Sequence, residues 1–201
     1  SYNTDTLENF TGMFRYSAIT KTIDESDTSI LSNITKVKMY KFITPTLNNG
    51  TKYTLSFNNA FFNPHSGHNS AAGGVVSSTG FKIFGDDTNE HFLDDDGAGN
   101  IRVYYLSGTT RIYTDSTYGT IDYTNGEIIL TSANITSISN IDGAASARVR
   151  VTVSPDSNDI VPVRNQVLSI DTANSNVSGG IDEIESGSSQ AGTGYTTTSS
   201  Y

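Results

Sequence analysis

Three histidines and one acidic run are the residues best able to do chemistry in this chain. His65 and His68 lie in Asn63-Pro64-His65-Ser66-Gly67-His68-Asn69. Two imidazoles three residues apart share a metal ion only where the backbone aims them together. Pro64 and Gly67 make this stretch a polar loop, so the aim is undefined. His91 stands just before Asp94-Asp95-Asp96, any of which could complete a ligand set with it. The weak metal candidates are therefore His65, His68, His91, Asp94 and Asp96. An EF-hand needs oxygen ligands at positions one, three, five and twelve, with glycine at six. Counted from Asp94, position five is Ala98, position six is Gly99 and position twelve is Tyr105, so that ligand set fails. The bland alternative is an acidic, glycine-rich turn leading into a strand at Ile101.

Other chemistries find less support. The chain has no cysteine and no Gly-x-Ser-x-Gly elbow. It has no phosphate-binding Gly-x-x-x-x-Gly-Lys-Ser/Thr loop, and Gly97-Ala98-Gly99 lacks the third glycine of a dinucleotide motif. Asp24, Glu25 or Asp122 could pair with another acid for glycosidic chemistry, but no spacing singles them out. We expect no enzyme activity and no cofactor.

Aromatic residues point towards binding instead. There are 11 tyrosines and 9 phenylalanines, and Tyr104, Tyr105, Tyr113, Tyr118 and Tyr123 fall in one cluster. Tyrosine is favoured at interfaces because it joins a large rigid face to a polar tip. Tyr104, Tyr113, Tyr118 and Tyr123 are the interface candidates there. Pro162, Arg164, Asn165 and Gln166 read as an extended arm whose guanidinium and amides could pair with a neighbour. The competing expectation is that Arg164 pairs with Asp159 or Asp171.

Charge narrows the partners. The net charge is −9 with only 12 Lys and Arg. Nucleic acid demands clustered cations. Lys36, Lys38 and Lys41 come nearest, and they read as the wet face of a strand. No apolar run reaches the roughly 20 residues of a membrane helix. No signal peptide is visible, and the start at Ser1 reads as a cut inside a longer protein. The lack of cysteine fits assembly in a reducing cytosol. The Asn-x-Ser/Thr sequons at Asn9, Asn33, Asn49, Asn134 and Asn176 follow from a composition rich in Asn, Ser and Thr.

That composition suits strands and turns, not long helices. Two-residue alternation predicts strands near 35–42, 52–58, 101–106, 120–130 and 147–153. Asn48-Asn49-Gly50 predicts a hairpin over 34–59. Ser107-Gly108-Thr109 and Thr124-Asn125-Gly126-Glu127 predict two more, and Phe81–Phe84 reads as a strand. Pro155 ends the 147–153 strand, and Pro162 makes its segment an edge strand or arm. Asp5–Phe10 and Asp24–Leu31 could each form a short helix, the latter capped by Asp24 or Ser26. The expected fold is mainly β, with antiparallel hairpins in sandwich-like sheets and one or two short helices, α+β being the variant. A β-rich domain spans 1–135, with a break near 60–80 as an option. Residues 136–171 form a strand and arm packed against it. Residues 172–201 form a Ser/Thr/Gly-rich tail, either flexible or ordered by a partner.

Two segments and a loop carry a family resemblance. They are Gly119–Leu130, Pro155–Asp171 (with Asn158-Asp159-Ile160-Val161-Pro162-Val163-Arg164-Asn165-Gln166) and Phe62–Asn69. Together they resemble the C-terminal part of the baseplate wedge subunit of T-even-like contractile-tailed bacteriophages, in versions from phages of marine cyanobacteria. The likeness extends to Gly194-Tyr195-Thr196-Thr197-Thr198. It implies a virion structural protein, located in the tail baseplate and assembled in the host cytoplasm. The partners it implies are other copies of the chain, as a homodimer or in ring contacts, and other wedge proteins around the tail hub. It implies neither nucleic acid nor membrane as a partner, and it brings no catalytic residues. The alternative is a carbohydrate- or receptor-binding β domain of a fibre or adhesin. A polysaccharide-degrading enzyme with dispersed carboxylates is a third reading.

Overall fold

The computed structural model describes residues 7–8, 12–68, 74–162 and 166–180. The chain divides into two compact units, Ser1–Ser169 and Ile170–Tyr201. The first unit holds one helix, α1 (Tyr16–Asp24), and ten strands. These are β1 (Met39–Ile43), β2 (Thr51–Ser56), β3 (Val76–Ser78), β4 (Phe81–Ile83), β5 (Asp86–Asp95), β6 (Asn100–Ser107), β7 (Thr110–Asp122), β8 (Glu127–Ala133), β9 (Ile135–Ile138) and β10 (Val149–Val153). They make two antiparallel sheets, so the molecule is mainly β as expected. In the second unit, Asp171 accepts from the Asn174 backbone and side-chain amides and closes a local turn. Residues 181–201 of the predicted tail lie outside the described residues.

The smaller sheet runs β1-β10-β3. Its central strand shows the alternation legible in the sequence: Val149, Val151 and Val153 are buried while Arg150 and Thr152 are partly exposed. The larger sheet runs β2-β8-β7-β6-β5-β4-β9. Only Asn134 separates β8 from β9. That continuous stretch pairs with β7 through Glu127–Leu130 and with β4 through Ile135–Ile138. The sheet therefore curls until both its ends meet on one stretch of chain, as closure requires. Leu93, Ile101, Val103, Ile128 and Leu130 from the curled sheet share a core with the valines of β10. Full burial of each such side chain stabilises by about 1.5–3 kcal/mol.

Two predicted hairpins form. β6 turns into β7 with Ser107 facing Thr110 and Gly108 at φ 64°. β7 turns into β8 with Asp122 facing Glu127 and Gly126 at φ 65°. A side chain at Gly126 would also collide with the Asn59 carbonyl, which is why glycine is needed there.

The 34–59 hairpin does not form. β1 pairs with β10 and β2 with β8, so the two strands enter different sheets. The turn exists, with Asn48 at φ 56°, but the Asn48 amide donates to Ile135 O and carries the chain from one sheet to the other. Alternation marks a strand with one dry face and leaves its partner open. Lys41 also departs from the expected wet face, since its ammonium donates to Ser56 O and Gln166 Oε1. Lys36 and Lys38 precede β1 and are exposed.

The helix lies earlier than expected, ending at Asp24 rather than starting there. Arg15 offers it no side-chain cap; instead the Asp159 carboxylate accepts from the Tyr16 amide at 2.7 Å. A cap 143 residues away is invisible to local reading. Residues 24–31 form turns, with Asp27 accepting from the Ser29 amide. Most of the Asp5–Phe10 segment lies outside the described residues.

Candidate protein-interaction surface

The acidic run is a turn only in its second half. Asp94 and Asp95 end the ten-residue strand β5, and only Asp96 enters the loop, where it accepts from the amides of Ala98 and Asn100. Successive residues of a strand face opposite ways. His91 and Asp95 therefore lie on the core face and Asp94 on the outer face, so His91 and Asp94 cannot ligate one ion. Among the described residues no group of three or more His, Asp or Glu is placed to hold a metal ion. His65 and His68 are exposed and contact each other, with Nδ1 of His68 3.2 Å from Nε2 of His65.

On the core face, Asp95 is wholly buried and accepts from the Val76 amide at 2.9 Å and the Tyr123 hydroxyl at 2.7 Å. It thus ties β5 to the smaller sheet and to the β7–β8 turn. Burial, reinforced by Asp95, raises the Tyr123 pKa well above that of free tyrosine. His91 is wholly buried against Tyr105, and neither ring nitrogen makes a hydrogen bond. Its Nε2 lies 3.4 Å from Asp86 Oδ2. Burial lowers the His91 pKa and the Asp86 charge only partly opposes this.

The outer face is built from β5, β6 and β7. Cross-strand register places Phe92 opposite Tyr104, Asp94 opposite Arg102, Tyr104 opposite Tyr113 and Leu106 opposite Arg111. Asp94, though on this face, is only 1% exposed. Arg102 grips it with Nε at 2.9 Å and Nη2 at 3.2 Å, and also donates to Asp95 O. Arg111 Nη1 reaches the same carboxylate at 2.7 Å, and the Tyr113 hydroxyl donates to it at 2.9 Å. Arg102 lies 4.4 Å from the Tyr113 ring centre and Arg111 4.5 Å from that of Tyr104. Such cation–π contacts favour desolvated guanidinium. Phe92, Tyr104 and Tyr113 continue as a row of rings with centroids 5.8 Å apart. Burial, then the hydrogen bond to Asp94, raises the Tyr113 pKa; burial raises that of Tyr104. The upper part of this face stays open, with Leu106 49% and Tyr113 36% exposed.

The tyrosine candidates therefore separate. Tyr113 is exposed on the outer face, with Tyr104 buried beneath it. Tyr118 packs on the core and lines a cleft with Phe84, Asp115 and Asn134, and burial pushes its pKa up to about 12. Tyr123 packs on the core as the Asp95 ligand. Gln166 is exposed and binds Lys41, and Pro162 is half-buried. Arg164 and Asn165 lie outside the described residues. Arg102 and Arg111 were missed because nothing local marks them. Their only sequence signal is a position inside a predicted hairpin that follows the acidic run.

Comparison with known proteins adds one match. Residues 1–42 match the family model of baseplate structural protein gp6, C-terminal domain III. No curated protein and no solved structure matches the chain significantly. The matched stretch covers α1 and most of β1, a different part of the sequence from the segments that carried the resemblance. The fold joins the two: Phe14 bridges to Ile160, Asp159 caps α1, and β1 pairs with β10. The chain is thus similar to a T4-like baseplate wedge subunit, with a structural role in the virion tail baseplate. No helix among the described residues is long and apolar enough to cross a membrane.

Proposed function

We propose, with a structural role in the tail baseplate as premise, that this chain holds neighbouring wedge subunits, including copies of itself, in the ring around the tail hub, and catalyses nothing. The outer face of β5–β7 is one of its contact surfaces. The observation that carries this reading is the open patch of Tyr113, Leu106 and Arg111 seated on a rigid, buried Asp94 network. Interfaces gain most where aromatic and arginine side chains are held in place before binding, because little rotamer entropy is then lost. The buried acids serve the structure: Asp94 accepts from two arginines and a tyrosine, and Asp95 from a backbone amide and a tyrosine.

The test is light scattering behind a sizing column, with the chain alone and co-expressed with other baseplate wedge proteins. We expect a stable complex whose affinity drops about tenfold or more in a Leu106→Ser, Tyr113→Ser double variant. A chain that stays monomeric at high concentration and ignores every wedge protein would refute the reading.

A further inference from the structure

We propose that the outer face of β5–β7 docks an acidic segment of a neighbouring protein, one carboxylate of which seats on Arg111. The inference rests on the assembly reading and names the chemistry of the partner.

One carboxylate, Asp94, faces two guanidiniums here. Arg102 takes both of its oxygens in the paired geometry that suits a carboxylate. Arg111 reaches it through Nη1 alone. Asp94 Oδ2 already accepts from Arg102, Arg111 and Tyr113, so it has little left to offer. A guanidinium carries five N–H donors in a planar fork. Apart from Asp94 and the Tyr113 hydroxyl, no described residue accepts from Arg111. Its side chain is 28% exposed, and its register neighbour on the same face is Leu106, 49% exposed.

Two guanidiniums share one carboxylate here, in a chain of net charge −9, and an apolar residue lies beside Arg111. The Tyr104 ring, 4.5 Å from the guanidinium carbon, holds Arg111 over it before anything binds. A second carboxylate would complete the fork, and an apolar neighbour in the same segment would cover Leu106. Opposite charge at such a rim steers encounter and sets partner choice.

The experiment uses the full chain with its co-expressed wedge proteins, and separately with an acetylated, amidated peptide alternating Glu and Leu. A twin peptide with Gln for Glu and inorganic phosphate serve as controls. Arg111→Gln leaves Asp94 its grip by Arg102 and Tyr113, so the fold is kept; unchanged circular dichroism checks this. We expect association to weaken about ten- to a hundredfold in Arg111→Gln and to lose part of its salt dependence. Leu106→Glu places a carboxylate opposite Arg111 within the chain itself. It should block the partner at unchanged Tm, whereas Leu106→Gln should weaken binding far less. The Glu peptide should perturb the Leu106 and Arg111 resonances and the Gln peptide should not. Wild-type association by Arg111→Gln, equal effects of Leu106→Glu and Leu106→Gln, or an equal response to both peptides or to phosphate would overturn the inference while leaving the assembly reading intact. If the wild-type chain associates with no wedge protein, the assembly reading fails, and the peptide comparison alone decides the docking chemistry.

Discussion

Asp94 and Arg111 touch each other but answer to different demands. Asp94 is buried, so Asp94→Asn should cost about 3–5 kcal/mol by leaving Arg102 facing a neutral amide in a dry site. Arg111→Gln should cost no more than about 1 kcal/mol, because a partly exposed ion pair contributes little. Urea midpoints of the two variants measure the contrast, and comparable losses would mean that Arg111 is as structural as Asp94. His91 makes a pH prediction. Its pKa is depressed from 6.5 by burial, so the unfolded chain binds the proton first on acidification. The stability His91 contributes as a neutral side chain is present above about pH 6.5 and is lost as pH falls through the lower folded value. Thermal melts from pH 7.5 to 5 should show Tm falling, and His91→Phe should flatten that slope. Tyr118 does the reverse: with its pKa pushed to about 12, stability is present below about pH 10 and lost as pH rises towards 12. Alkaline melts of Tyr118→Phe should lack that component.

At the scale of elements, turns and registers divide the work. The β7–β8 turn needs Gly126 both for its φ of 65° and for the approach of the Asn59 carbonyl. Gly126→Ala should therefore lower stability by about 1–3 kcal/mol, read as a shifted urea midpoint at unchanged slope. Strands β6, β7, β8 and β10 were legible because their alternation or Asn-Gly turn is local. β5 was not, because its aspartates look like loop residues until Arg102, Tyr113, Tyr123 and the Val76 amide satisfy them. α1 was misplaced because its cap, Asp159, comes from the far end of the fold.

Across the molecule, the late strand β10 holds the first and third strands together. Its three valines are among the most buried side chains in the core. A chain ending at residue 145 should lose cooperative unfolding, whereas the full-length chain should keep it. Calorimetry distinguishes the two, and a folded 1–145 fragment would mean that the curled sheet is stable without the smaller one. The same long-range pairing places the residues similar to a baseplate family, 1–42, against the segment around Asp159 and Ile160.

By itself the sequence determined the β-rich class, two of the hairpins and the baseplate resemblance, because each rests on local pattern: period-two alternation, turn residues that tolerate positive φ, and contiguous motifs. It also named Tyr104 and Tyr113 among four tyrosine candidates, and the structure pairs these two across the β6–β7 hairpin. Only the tertiary structure decided which sheet receives β1 and β2, which face of β5 each aspartate occupies, and that two arginines converge on Asp94. Those choices depend on partners distant in sequence, since a buried carboxylate is tolerated only where the fold brings donors to it.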